Sequence, residues 1–399
     1  MCSSKCSSKI RLGAERAPKV LTLSLSISLL LCLLCAITPG QGTLTKTSGS
    51  PGELFGGIEL SNEGVKAIAL QVSKPEGIKM IYSDMIRLRL GRTNEGEFPP
   101  QASVEAAQAV SAALERLQQE YKVPLDRIWF VGASGLSGDY PKDLVSVIRD
   151  TTGLTLKFLG SAEEVQLSIA GTITRTSKQN SLLIDNRNTS VLLSIGYAST
   201  QAGCEILKYS SADSPSFDYI AMNIPHGVVS YANEVSKAVG RNNSVYAFAR
   251  QAKTSGASSF RQALRKELEN KPILMHRKRV FLTGNLAWAM TTLLYPQERQ
   301  PVVPLTYEDI VQFAEKIARA PEDLAFQKLT FIRDKKARKD AEQELAAVRA
   351  TFTPKELIAG AEMLRAAAEE LKWQEKKILF VRFGYLGSIL SYVRLQTGK

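Results

Sequence analysis

The sequence predicts a two-lobed α/β protein with a helical C-terminal part. Three features carry this reading. From Leu54 onward, β-rich runs alternate with amphipathic stretches, two such sets each begin with adjacent hairpin-type strands, and the last third is mainly helical in pattern. The first set is expected over residues 54–178 and the second over 179–305, with 306–399 as the helical part completing the second lobe. Two lobes of this kind leave a cleft between them, the natural place for a ligand.

In the first set, Phe55–Leu60, Val65–Val72 and Ile78–Leu90 read as antiparallel strands, separated by Ser-Asn-Glu-Gly and Lys-Pro-Glu-Gly turns. Val104, Ala107, Val110, Ala113, Leu114 and Leu117 share one face of a helix over Ser103–Tyr121, with Ser103 as its N-cap. A buried-type strand (Arg127–Ala133), a helix (Asp143–Asp150) and a short strand (Thr155–Leu159) follow. They lead into a helix whose first turn holds Ala162-Glu163-Glu164.

The second set opens with a strand over Ser181–Asp185, an Asn186–Thr189 turn and a strand over Ser190–Gly196. Strands near Glu205–Tyr209 and Tyr219–Asn223 come next, then helices over Val228–Ala238 and Val245–Glu269. A strand at Arg279–Thr283 feeds a helix through Ala287–Leu294. In the C-terminal part, Asp334–Arg349 is densely charged, with Ala337, Ala341, Leu345 and Val348 on one stripe, the pattern of a solvated amphipathic helix. Lys377–Phe383 reads as a last strand and Tyr385–Leu395 as a short returning helix.

Composition narrows the chemistry. Of 5 cysteines only Cys204 lies beyond the N-terminal segment, so the body has no disulfide framework. The 2 histidines, His226 and His276, fit no zinc spacing, and no G-x-S-x-G elbow occurs. A net charge of +12 makes polyanions the natural partners. The basic cluster His276–Arg279 has no nucleic-acid reader motif or aromatic series beside it, so nucleic acid is a poor candidate.

Residues 1–19 carry Lys5, Lys9, Arg11, Arg16 and Lys19 against Glu15, and the uncharged run Val20–Ile37 follows. A basic leader before an apolar run is the design of a secretion signal or signal anchor. Residues 1–37 are therefore expected to export the body, with membrane attachment if the segment is uncleaved. Residues 38–53, rich in Gly, Ser, Thr and Pro, read as a linker.

Several motifs bear on function. Gly160-Ser161-Ala162-Glu163-Glu164-Val165-Gln166-Leu167 resembles the S-G-x-E-E-A-x-L helix start of the exopolyphosphatase and guanosine pentaphosphate phosphohydrolase (Ppx/GppA) family. Phe55–Gly64 takes the place of its first phosphate loop, D-x-G-S-N-S, and Leu183–Ser190 that of its second, D-I-G-G-G-S-T-E. Ile224–Val229, Phe281–Ala287, Phe352–Gly360 and Phe383–Leu390 resemble its later elements.

The resemblance covers nearly everything from Leu54 to the end, as a short form. It implies two actin-like (ribonuclease H-like) lobes and a phosphoanhydride ligand, polyphosphate or a related nucleotide. Glu164 would be the general base for a water attacking the terminal phosphoryl group. Glu59, Ser61, Asn62, Asp185, Arg187, Ser190 and Gly284 would contact the ligand, and Asp185 would hold Mg²⁺ if the site is catalytic. A homodimer is left open.

The loops depart from the family pattern. Glu59 replaces Asp, Ser61 replaces Gly, and Glu63 adds negative charge where an anion should sit. In the second loop Arg187, Asn188 and Thr189 stand where glycines let backbone N–H groups approach phosphate. Two readings stand side by side: a phosphoanhydride hydrolase, and an exported binding or scaffold protein that kept the fold without catalysis.

Overall fold

The computed structural model describes residues 52–73, 77–91, 97–137, 140–173, 189–208, 216–240, 244–320 and 329–398. The leader and apolar run, nearly all of the linker, the strand expected at Ser181–Asp185, and Asp185 and Arg187 themselves lie outside the described residues.

The first sheet is built from β1 (Glu53–Ser61), β2 (Gly64–Ser73), β3 (Gly77–Arg87), β4 (Ile128–Gly132) and β5 (Lys157–Phe158), in the order β3-β2-β1-β4-β5. β1, β2 and β3 form an antiparallel meander, while β4 runs parallel to β1 and β5 parallel to β4. β1 alternates its side chains between two cores. Ile58 and Leu60 pack with Ala106, Val110 and Leu117 of α1 (Ala102–Gln119) and with α2 (Leu144–Thr152). Phe55 faces the other side, toward Leu167 of α3 (Ser161–Thr172). A strand buried on both faces needs apolar residues at every position. The burial of Glu59 in its middle is therefore a departure that needs a partner.

The second sheet repeats this plan. It contains β6 (Ser190–Ile195), β7 (Thr200–Lys208), β8 (Ser216–Ile224), β9 (Arg279–Thr283), β10 (Val302–Leu305) and β11 (Lys377–Val381), in the order β10-β11-β9-β6-β7-β8. Here β6, β7 and β8 are the antiparallel meander, β9 runs parallel to β6 and β11 parallel to β9. Leaving aside the antiparallel edge strand β10, the two sheets share one topology, so the two lobes are a structural duplication.

Helices α4 (Val228–Val239), α5 (Val245–Ser255), α6 (Ser258–Asn270), α7 (Gly284–Leu294), α8 (Tyr307–Arg319), α9 (Lys335–Thr351) and α10 (Pro354–Glu370) surround this sheet. The last helix, α11 (Gly387–Gln396), packs on the first sheet: Ile389 and Val393 share a core with Phe55, and a Cβ on Gly57 would lie 2.5 Å from Val393.

Several expectations are corrected. The single helix expected over Val245–Glu269 is two, α5 and α6. They are broken where Gly256 and Ala257 both take left-handed conformations, φ 54° and 53°. Ser103 is not an N-cap; Gln101 holds that position, and the Ser103 hydroxyl donates to Asp143 Oδ1 at 2.6 Å. The basic cluster is not a surface patch throughout. Arg277 is buried, and its Nη2 donates to the Glu205 carbonyl at 2.6 Å. Among the described residues no helix is long and apolar enough to cross a membrane.

Candidate functional site

The duplication makes the corresponding hairpin turns of both lobes, β1–β2 and β6–β7, line one cleft. Ser61, Asn62 and Glu63 come from the first turn, and Ser194, Gly196, Tyr197, Ser199 and Gln201 from the second. Glu164 enters from α3, Gly135 from the segment after β4, Gly284 from the start of α7, and Ser388 from α11.

Of the residues expected from sequence, Ser61, Asn62, Glu164 and Gly284 line this cleft. Glu59 lies beneath it, fully buried. Ser190 does not belong here. It is buried at the start of β6, opposite Arg279, and sits about 13 Å along the strand from Ser194, at about 3.3 Å per residue. Among the described residues, the loop that faces β1–β2 is Ser194-Ile195-Gly196-Tyr197-Ala198-Ser199-Thr200-Gln201. Set against D-I-G-G-G-S-T-E, it matches at Ile195, Gly196, Ser199 and Thr200. Ser194 stands in place of the Asp, and Gln201 in place of the closing Glu.

Among the described residues, three carboxylates converge on the cleft, and each is engaged. Glu59 faces Lys66 across the β1–β2 ladder, with Nζ 2.5 Å from Oε1, and the Ser388 hydroxyl donates to Oε2. Burial pulls Lys66 down, but Glu59, Glu63 and Glu164 outweigh it and hold the ammonium above its ordinary pKa. Glu164 is buried. Its Oε2 accepts from the Ser134 backbone N–H at 2.7 Å and from Gln201 Nε2 at 3.1 Å. Among the described residues no donor reaches Oε1 of Glu164.

Glu63 reaches across to the second lobe. Asn285 Nδ2 donates to its Oε2 at 2.7 Å, and the Tyr197 backbone N–H pulls the pKa of the same carboxylate down. Burial pushes the Glu63 carboxyl above the usual carboxylate range, against the opposing pull of Lys66, Tyr197 and Arg87. Asn62 is anchored through Nδ2 to the Gly135 carbonyl at 3.0 Å, while among the described residues its buried Oδ1 has no partner. Gly284 has φ +85°, and a Cβ there would lie 2.6 Å from Ser194 Oγ, so this turn requires glycine.

Whether these residues fit Mg²⁺ follows from the donor set. The oxygens of Glu59 serve an ammonium and a hydroxyl, the loop acid is Ser194, and Glu164 Oε2 is held by two donors. Among the described residues no group of three His, Cys, Asp or Glu side chains is placed to hold a metal ion. The described site does not fit a divalent cation.

Solved structures resemble this fold over most of the chain. A Ppx/GppA family member from Aquifex aeolicus matches with a TM-score of 0.57 at 15% identity, covering 88% of this chain and 100% of that one. An exopolyphosphatase-like protein matches with a TM-score of 0.60 at 16% identity, covering 87% and 99%. This chain has the Ppx/GppA fold. An exopolyphosphatase from Cytophaga hutchinsonii extends the likeness, with a TM-score of 0.51 at 10% identity and coverage of 85% and 98%. No family model and no curated protein matches the chain by sequence.

Within this Ppx/GppA fold, sequence reading missed Lys66, Gln201, Asn285 and Ser388. Lys66 had a signal, since it is the only charge in the run Val65–Val72. Gln201 was legible through Ser199-Thr200, which repeats the S-T of the family loop. Asn285 and Ser388 lie in Phe281–Ala287 and Phe383–Leu390, two of the stretches that resemble the family's later elements.

Proposed function

We propose that this chain is a Ppx/GppA-type binding protein, a ligand-binding scaffold of the phosphoanhydride class that does not perform metal-dependent hydrolysis. The observation that carries this reading is the engagement of Glu59 by Lys66 and Ser388, beside a loop in which Ser194 and Gln201 replace the acids. A buried ion pair leaves no carboxylate oxygen free for a cation and fixes the ammonium in the cation's stead. The fold alone hosts more than one activity, so the site residues decide between them.

A second reading has one observation in its favour. Among the described residues no donor reaches Glu164 Oε1, so it could accept a proton from water as a general base. Phosphate release from long-chain polyphosphate, tripolyphosphate and guanosine pentaphosphate, with Mg²⁺ present, separates the two. The scaffold reading expects wild type and Glu164→Gln to give the same background. Release by wild type that falls roughly 10²–10⁴-fold in Glu164→Gln would establish the hydrolase instead.

For the N-terminus we propose export, on the basic leader and the run Val20–Ile37. Residues 1–54 fused to a reporter active only outside the cytoplasm should give signal. A silent reporter made at normal levels would refute it.

A further inference from the structure

We propose that Glu63 is an internal anion that ties the two lobes together by occupying donors a phosphoryl oxygen would otherwise use. The inference deepens the reading of the cleft as a phosphoanion site, and rests on it, by assigning the group that controls entry.

Glu63 sits at the β1–β2 turn of the first lobe, on the tip that faces the second. The Glu63 backbone N–H donates to Ser61 Oγ at 3.3 Å, and Ser61 Oγ donates to the Gly64 carbonyl at 3.2 Å, so the turn is pinned from within. From that tip the carboxylate crosses to two donors on different elements of the second lobe. One is the side chain of Asn285 in the first turn of α7, at 2.7 Å. The other is the backbone N–H of Tyr197 at the β6–β7 turn, where the Glu63 carboxylate lies against Gly196 and the N–H pulls its pKa down.

Those donors point where an anion is expected. A backbone N–H in a glycine-containing turn and an amide at a helix start are the usual grips on a phosphate oxygen. Lys66 and Arg87 add positive potential at the same carboxylate. A carboxylate and a phosphate oxygen compete for identical donors, because both are charge-assisted acceptors. Like charge adds to the competition, since a phosphate brought beside ionised Glu63 is repelled as well as left without its donors.

The tie at Glu63 is local and separable from the other inter-lobe contacts. Arg89 bonds Glu356 through Nη1 and Nη2 at 3.2 and 3.1 Å, and Arg87 lies over the Trp288 ring at 4.6 Å. Neither uses Asn285 or the Tyr197 N–H. Removing the Glu63 carboxylate frees those donors while the lobes stay joined at the Arg89 side.

The test compares wild type with Glu63→Ala and Glu63→Gln in the full chain. Amide hydrogen exchange is read at Tyr197 and over residues 285–287, and tripolyphosphate affinity is read by calorimetry. Both variants replace a half-buried turn residue, and their thermal transitions confirm folding. In Glu63→Ala the Tyr197 amide should exchange at least 10-fold faster, and tripolyphosphate should bind at least 10-fold tighter than to wild type. Glu63→Gln, which keeps an acceptor but not the charge, should fall between. Unchanged exchange at Tyr197 overturns the tie. Equal affinity of wild type and Glu63→Ala for tripolyphosphate overturns the competition. Faster exchange with no binding by either protein supports the tie and counts against the phosphoanion reading of the cleft.

Discussion

Glu59 and Lys66 face each other across the β1–β2 hairpin, both buried, with the ammonium 2.5 Å from the carboxylate. A charge in the centre of a sheet is tolerated only with its counter-charge in place. The pair therefore behaves as one unit. Lys66→Met leaves a buried carboxylate uncompensated and should cost about 3–5 kcal/mol. Adding Glu59→Gln to that variant should recover much of the loss. Denaturant midpoints of the two single variants and the double variant measure this coupling.

The loop position Ser194 offers a gain-of-function test. Its hydroxyl lies beside Gly284, where an added Cβ would come within 2.6 Å of it. Ser194→Asp should introduce into the cleft a carboxylate at the position of the family's loop acid. Wild type should show no Mg²⁺-dependent rise in thermal transition, and Ser194→Asp should show one. Equal behaviour of the two proteins with and without Mg²⁺ would count against the proposed reason for lost metal binding.

Close packing of backbone against backbone makes Gly171 another sensitive point. A Cβ there would lie 2.0 Å from the Gly387 carbonyl oxygen, where α3 meets the start of α11. Gly171→Ala should destabilise by about 1–3 kcal/mol or more, because backbone cannot yield as a side chain can. Gly91→Ala, whose Cβ would meet only Asn62 at 4.0 Å, is the control and should change stability little.

Stability should also vary with pH through Glu362. It is buried in α10, and burial pushes its carboxyl above 4.5, against the pull of Arg365 and Lys253. A raised native value means the folded chain holds the proton longer than the unfolded chain. The contribution is thus fully present below about pH 4.5 and is lost as pH rises through the raised native value. Glu63 acts in the same direction. Glu362→Gln should flatten the fall in stability above that pH, read as denaturant midpoints across pH 4 to 7.

By itself, the sequence determined the two-set α/β order, most strand positions and the helix start at Glu164. These follow from local periodicity and turn chemistry, which a short window of residues carries. β1, β2 and β9 lie within a few residues of where the alternation and apolar runs put them. The break between α5 and α6 was missed because apolar spacing continues through Gly256 and Ala257, and only their left-handed backbone ends the helix.

Tertiary structure alone decided which loop faces the cleft. Two stretches of the second set, Leu183–Ser190 and Ser194–Gln201, each carry part of one pattern. Sheet pairing excludes Ser190 by burying it opposite Arg279 and brings the β6–β7 turn to the β1–β2 turn. The site's partners are likewise products of folding. Glu59 with Ser388, Glu63 with Asn285, and Glu164 with Gln201 are far apart in sequence and meet only when the lobes close on one another. Long-range hydrogen bonds of this kind leave no periodic trace in the chain, because each partner alone is an ordinary polar residue on an ordinary element.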